Sequence, residues 1–166
     1  MLRLKNSASN EDVHRANIIA MSLGSNQRLL TLCARGILAE WSVHSFELLG
    51  VTQLDLGNDS GKIKLAKMGV RYIVVYLPEV RKFRVFDIVT RSLKLTCGQA
   101  ESKGYVSQMR VLQADSQENS PSVLAYVQGR TVFFFAVEQA GGEHFALRRE
   151  AKLSCLELAY DDSKGV

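Results

Sequence analysis

The sequence predicts an all-β protein made of antiparallel four-stranded blades, an incomplete β-propeller of about three blades and one further strand. Short apolar and β-branched runs recur along the chain, separated by turns rich in Gly, Pro, Asn, Asp and Ser. Strands that end in an aromatic residue recur at Trp41, Phe86 and Phe135, with spacings of 45 and 49 residues. Repeats of about 40–45 residues with four short strands each are typical of propeller blades.

Composition limits the class of protein further. The chain has 166 residues, 46% hydrophobic and 23% charged, with a net charge of +4 and a pI of about 9.0. No apolar run reaches the roughly 18 residues of a membrane-spanning helix, and the N-terminus lacks the apolar segment of a signal peptide. The three cysteines, Cys33, Cys97 and Cys155, form no CxxC pair. We therefore expect neither a disulfide framework nor a zinc site. Reduced thiols of this kind favour a cytoplasmic or nuclear location.

The first blade is expected at about 16–54, after a flexible tail at 1–15. Gly36 permits a tight turn after the first long apolar run because glycine accepts positive φ. A second turn is predicted at His44-Ser45. The strands are predicted at 17–22, Arg28–Cys33, Gly36–Val43 and Phe46–Leu49.

The second blade is expected at about 61–99. Lys62–Leu65 alternates charged and apolar residues, which is the period of a half-buried strand. Pro78 favours a turn in the middle of the unit. The other three strands are predicted at Tyr72–Leu77, Lys82–Val89 and Leu93–Thr96.

The third blade is expected at about 105–150. Gly129 and the pair Gly141-Gly142 mark its turns. Its strands are predicted at Val106–Leu112, Ser122–Val127, Thr131–Val137 and His144–Arg148, and a strand of a further blade at 153–160.

The chain resembles the WD-repeat (WD40-like) family over nearly its whole length. The pairs Trp41-Ser42, Phe86-Asp87 and Phe135-Ala136 carry the resemblance, since each closes a third strand. Only Asp87 occupies the Asp of the Trp-Asp pair, and no Gly-His pair precedes a first strand. We therefore expect that the family's hydrogen-bonded tetrad of His, Asp, Ser/Thr and Trp cannot be assembled in any blade. The resemblance implies degenerate blades held by apolar packing, and a longer propeller of which these are part, because a closed ring needs at least about four blades.

Catalytic and metal-binding patterns are absent from the sequence, so we expect neither enzymatic activity nor a cofactor. His14, His44 and His144 are far apart and are expected to be surface or turn residues. No serine has the G-x-S-x-G context of a nucleophile elbow. The acidic loop that begins at Asp55 has Ala66 where a calcium loop needs its bidentate glutamate.

Basic residues around the middle blade are the candidate interaction patch. Arg81, Lys82, Arg84 and Arg91 lie in or near two turns of that blade and could attract phosphates or acidic groups. The favoured alternative is that these residues belong to ordinary solvated strand faces. No small-molecule substrate and no membrane association are expected.

The resemblance implies two functions, which the sequence leaves open. The first is a non-catalytic scaffold that binds protein partners in a larger complex. The alternative is a WD subunit associated with RNA, either an accessory subunit of the tRNA guanine-N7 methyltransferase or a factor in rRNA processing.

Overall fold

The structure is a computed structural model, and it describes residues 13–14, 16–24, 27–57, 62–99, 104–113, 122–140 and 144–154. These residues form twelve strands arranged in three antiparallel four-stranded sheets. In each sheet the strands are neighbours in chain order. The prediction of an all-β chain made of four-stranded blades is therefore confirmed. Across the described ranges, no helix is long and apolar enough to cross a membrane.

The first sheet has its two central strands buried and its outer strands partly exposed. Leu32, Leu38 and Trp41 are buried, whereas the last strand is largely solvent-accessible. Its strands are β1 (Ile18–Leu23), β2 (Arg28–Cys33), β3 (Ile37–Ser42) and β4 (Leu48–Gln53). The return strand begins at Leu48 rather than at the predicted Phe46, because Phe46 lies in the turn at φ 56°.

The second sheet contains the most deeply buried strand, in which all six residues of Tyr72–Leu77 are buried. Its strands are β5 (Leu65–Met68), β6 (Tyr72–Leu77), β7 (Lys82–Asp87) and β8 (Leu93–Gly98). The predicted strand at Lys62–Leu65 is wrong by about three residues. Ile63 belongs to the connection between the first two sheets, where it is buried and its N–H donates to Ala34 O over 2.9 Å.

The third sheet forms a compact unit separate from that of the first two sheets. Its strands are β9 (Val106–Gln113), β10 (Ser122–Gln128), β11 (Thr131–Ala140) and β12 (His144–Ser154). The expected start of a new strand at Leu153 is wrong, since Leu153 and Ser154 pair with Val132 and Thr131 at the end of β12. The rest of the predicted strand at 153–160 lies outside the described residues.

The core of the first unit lies between the first and second sheets. Leu30, Leu32 and Leu38 of the first sheet belong to one buried cluster with residues of the second sheet. The second sheet contributes Ala66, Ile73, Val75, Leu77 and Phe86. β6 is buried along its whole length and β7 at its four central residues, so both faces of these two strands exclude water.

Candidate interaction surface

The four predicted patch residues do not form one patch. Arg81 ends the β6–β7 turn and Lys82 is the first residue of β7, whereas Arg91 lies in the β7–β8 turn. These turns are at opposite ends of β7, whose six residues span roughly 17 Å at about 3.3 Å per residue. Arg81 and Arg91 therefore face opposite rims of the sheet.

Arg84 is buried, with 7% of its surface accessible. Its Nη1 donates to Asp55 O over 3.1 Å, and Gly57 lies so close that a Cβ there would be 3.0 Å from Nη2. Gly57 also adopts φ 58°, which favours glycine on its own account. Arg84 thus fastens the connection between the first two sheets. From the sequence we grouped Arg84 with the basic residues of the hairpin, but the four central residues of β7 are buried.

Arg91 joins the two sheets through Glu40. Its Nη2 lies 3.4 Å from Glu40 Oε2, and Arg28 Nη1 lies 2.7 Å from Glu40 Oε1. Glu40 and Arg91 have about a fifth of their side-chain surface exposed, and Arg28 about half. Nη1 of Arg91 is buried and makes no hydrogen bond to a described residue. Two guanidinium groups therefore share one carboxylate.

These charges line a groove of about 600 Å³ between the first and second sheets. Arg28, Glu40 and Arg91 contribute its polar wall. Its other lining residues are mostly apolar or small: Ser22, Leu23, Gly24, Leu30, Met68, Gly69, Val70, Ile88 and Val89.

The groove opens at one end of the first two sheets, which we name the groove rim. In an antiparallel sheet with strands in chain order, alternate connections share an end. The groove rim therefore carries the β1–β2, β3–β4, β5–β6 and β7–β8 connections, and residues from three of them line the groove. The opposite rim carries the β2–β3, β4–β5 and β6–β7 connections.

Large apolar side chains are exposed on the groove rim. The accessible fractions are 69% for Leu23, 80% for Phe46, 78% for Val70 and 81% for Val89. The described connections of the opposite rim contain no large exposed apolar residue; its exposed residues include Arg35, Glu79 and Arg81. The two rims therefore differ in chemistry.

Two turns of the groove rim have the same backbone geometry. In Ser42–Glu47 and Asp87–Ser92 the first residue's N–H donates to the carbonyl five residues on, and its carbonyl accepts from the N–H four residues on. The residue four positions after the first lies in the left-handed region in both turns: Phe46 has φ 56° and Arg91 has φ 62°. The first side chain also accepts backbone bonds: Ser42 Oγ from Ser45, and Asp87 Oδ1 from Val89 and Thr90.

Asp87 is held ionised by this turn. Desolvation of its carboxylate opposes ionisation, but the N–H groups of Thr90 and Val89, the Thr90 side chain and the charge of Lys94 together lower its pKa below the ordinary 3.8. The Asp of the Trp-Asp pair therefore has a local structural role.

A buried polar network crosses the first sheet, contrary to expectation. His14 Nε2 lies 2.7 Å from Thr31 Oγ1, and Trp41 Nε1 donates to the same oxygen over 2.8 Å. Burial lowers the pKa of His14 below 6.5. Three members of the tetrad are thus assembled in the first sheet, which we did not anticipate from the sequence, although the complete tetrad of four is not formed there. The missing member is the Asp, since the β2–β3 turn has Arg35-Gly36 in its place.

His14 lies within the segment predicted as a tail at 1–15, and it is not the surface or turn residue that we expected. It is half-buried, and its Nδ1 is buried without a hydrogen bond to a described residue. The sequence signal for this role of His14 is its position shortly before β1, where the WD-repeat family has the His of a Gly-His pair, and here the glycine of that pair is missing. Residues 1–12 lie outside the described residues, and so does the side chain of His144, whereas His44 is exposed in a turn as predicted.

Apolar and aromatic side chains fill the equivalent positions of the other sheets. Trp41, Phe86 and Phe135 are each the fifth residue of the third strand, as the repeat spacing predicted. The register places Val75 and Tyr126 where the first sheet has Thr31. In the second sheet Val75 and Phe86 join the apolar core. In the third, the Tyr126 ring stacks on those of Phe133 and Phe135, at centroid distances of 5.3 and 5.7 Å.

No protein-family model matches the sequence, and no curated protein is similar to it in sequence. Solved structures do match. The chain matches the WD40 domain of SCAP from fission yeast with a TM-score of 0.60 and 11% identity, over 85% of this chain and 34% of that one. It matches Hsv2 from Kluyveromyces lactis with a TM-score of 0.60 and 11% identity, over 86% of this chain and 49% of that one.

A third match is the β-propeller domain of Cps50 (Swd1) from Myceliophteria thermophila. Its TM-score is 0.56 and its identity 15%, over 92% of this chain and 48% of that one. The chain spans between about a third and a half of the length of these three solved chains. The described residues therefore have the fold of WD40 β-propeller blades.

Proposed function

We propose that the chain is a non-catalytic module that binds a protein partner through the groove rim. The observation that carries this proposal is the exposure of Leu23, Phe46, Val70 and Val89 on that rim. Three of these residues, Leu23, Val70 and Val89, line one groove, and exposed apolar patches on soluble proteins commonly mark sites that another molecule covers. Aromatic residues in particular are enriched at protein interfaces.

Phe46 provides the strongest single argument. A bulky side chain in the left-handed region is unusual, and 80% of this one is in water. Neither its conformation nor its burial benefits the isolated fold. Such outliers cluster at functional sites, so contact with a partner accounts for the residue better than folding does.

The structural neighbours support the same class of function. One match is a complex structure of the fission yeast SREBP–SCAP binding domains, with a TM-score of 0.57 and 12% identity. That protein binds a protein partner. At such identity the likeness supports the fold, and a binding role for this chain is our inference.

The positions of the four predicted basic residues do not support the RNA alternative, because these residues do not lie along one surface. Arg84 is buried against the Asp55–Gly57 connection, Arg91 contacts Glu40, and Arg81 and Lys82 lie at the other end of β7. A phosphate chain is bound by cations that line one path. No described feature favours this alternative, and RNA becomes an outcome of the test.

Site-specific photo-cross-linking of the full 166-residue chain tests the proposal. A benzophenone amino acid at position 46 should cross-link to a partner protein in extract, and Val70→Glu should abolish the product because a charge at the rim opposes apolar burial. The same amino acid at Val51, an exposed position of β4 away from the turns, is the matched control.

The expected product survives ribonuclease and forms from position 46 but not from position 51. Equal products from both positions would refute the rim as the interface. Cross-linking that disappears with ribonuclease would replace the proposal with the RNA alternative. Circular dichroism of each variant checks that the fold is kept.

A further inference from the structure

We propose that the groove between the first two sheets binds a short peptide segment of the partner in which an acidic residue is flanked by apolar ones. The inference rests on the proposed function and names the chemistry that the groove would recognise. The partner's carboxylate contacts Arg28 and Arg91, and its apolar side chains cover Leu23, Val70 and Val89.

The charges inside the groove are unbalanced in the direction that this ligand needs. Arg28 and Arg91 share the single carboxylate of Glu40, which leaves one net positive charge on the wall. Arg28 keeps half of its side chain in solvent, and Arg91 makes one contact of 3.4 Å with Glu40. An incoming carboxylate completes the pairing with charge-assisted hydrogen bonds, which are stronger than neutral ones.

The apolar residues around this charged centre select against a bare anion. Val70 and Val89 lie in two turns at one end of the second sheet, Leu23 is the last residue of β1 in the first, and all three line the groove. Ligand sites typically have volumes of about 300–1,000 Å³, which includes the 600 Å³ of this groove. A peptide of a few residues fits this space and buries the valines, whereas a phosphate backbone would leave them in water.

Fluorescence anisotropy with the full chain tests the proposal. The probe is a fluorescein-labelled peptide in which leucine and aspartate alternate, and the matched probe has asparagine in place of aspartate. We expect the neutral peptide to bind at least about tenfold more weakly. Without the aspartate carboxylate, the positive charge of the groove stays unpaired while the peptide covers it, and this lowers the affinity.

Two charge reversals locate the site. Arg28→Glu should weaken binding of the acidic peptide by about tenfold or more. Arg35→Glu makes the same change of net charge on the opposite rim, where Arg35 is exposed, and should leave binding unchanged. Val89→Ser removes apolar contact without altering charge, and it should weaken both peptides equally.

Several results would overturn the inference. These are equal binding of the two peptides, equal loss with Arg28→Glu and Arg35→Glu, or no binding of either peptide. Displacement of the peptide by oligouridylate, with loss of that RNA on Arg28→Glu, would show a polyanion site instead. If position 46 still cross-linked to a partner, any of these results would refute the acidic peptide but would leave the proposed function of the groove rim intact.

Discussion

At the residue scale, Thr31 is the centre of the first sheet's interior. One hydroxyl joins Trp41 and His14, which are distant in sequence, and all of Thr31 is buried. The second sheet has Val75 and Phe86 at the matching positions and is buried equally well. The first sheet therefore relies on a polar arrangement that the second does without.

This difference predicts a non-additive pair of substitutions. Thr31→Val leaves the buried Trp41 N–H without an acceptor and should lower the free energy of unfolding by about 1–3 kcal/mol. Thr31→Val combined with Trp41→Phe reproduces the second sheet and should cost less than the two single changes added together. Urea unfolding measures all three variants. Strict additivity would mean that the hydrogen bond is not a coupled element of the core.

His14 predicts a dependence of stability on pH. Burial lowers its pKa below 6.5 in the folded state, so the folded protein takes up this proton at lower pH than the unfolded chain does. The contribution is complete above pH 6.5 and is lost as the pH falls towards the lowered folded pKa. Between about pH 7.5 and pH 5.5, His14→Gln should therefore lose less unfolding free energy than the unaltered chain.

Exposed His44 supplies the control for that measurement. His44→Gln makes the same change of side chain at an exposed turn position, outside the hydrogen-bonded network of the first sheet. Asp87 does not interfere, since its pKa is below 3.8 and lies outside this range. Equal slopes for the unaltered chain and His14→Gln would contradict the assignment.

At the element scale, the two matching turns allow the cost of the left-handed backbone to be distinguished from the contribution of the side chain. Positions 46 and 91 both need a left-handed backbone, yet neither is glycine. A residue with a Cβ costs roughly 1–2 kcal/mol in this conformation, while glycine costs about 0.5–1 kcal/mol of extra chain entropy. The balance favours glycine slightly at both positions.

Phe46→Gly should therefore leave the free energy of unfolding unchanged or raise it by up to about 1 kcal/mol. Phe46→Ala should not raise it, because alanine keeps the Cβ. Thermal unfolding of the two variants provides the comparison, since both remove the aromatic ring and only one relieves the backbone. If alanine proved the more stable, the left-handed geometry would not be a source of strain. Both variants should lose the partner.

At the scale of the whole molecule, the first two sheets share one core. Leu32 is fully buried and belongs to the cluster that contains Ile73 and Val75. Leu32→Ala should lower the unfolding free energy by about 2–5 kcal/mol. Hydrogen exchange should show lost protection in β6 as well as in β2. Val51→Ala, at an exposed site, is the control, and a loss confined to β2 would contradict a shared core.

The repeat and its aromatic positions could be predicted from the sequence, but the surroundings of single side chains could not. Trp41, Phe86 and Phe135 were aligned correctly because strand periodicity is local. Arg84 was included in the candidate patch because it is close in sequence to the turn at Arg81, and a single sequence does not show that β7 is buried on both faces. His14 was missed because its partner lies 17 residues away and no motif links them.

The groove rim was missed for a related reason. Its apolar residues come from the end of β1 and from three separate connections, each of which has the composition of an ordinary turn, and only the order of the strands brings them to one end. The same topology separates the residues of the predicted basic patch, because Arg81 and Arg91 are close in sequence but lie at opposite ends of β7.

Trp41 has one more consequence. It is the single tryptophan of the chain, and its indole N–H is bonded inside the first sheet. Intrinsic fluorescence excited at the red edge therefore reports the state of this one blade, while the tyrosines are silent. A fluorescence transition that precedes the loss of circular dichroism would mean that the first blade opens before the others, without any label having been added.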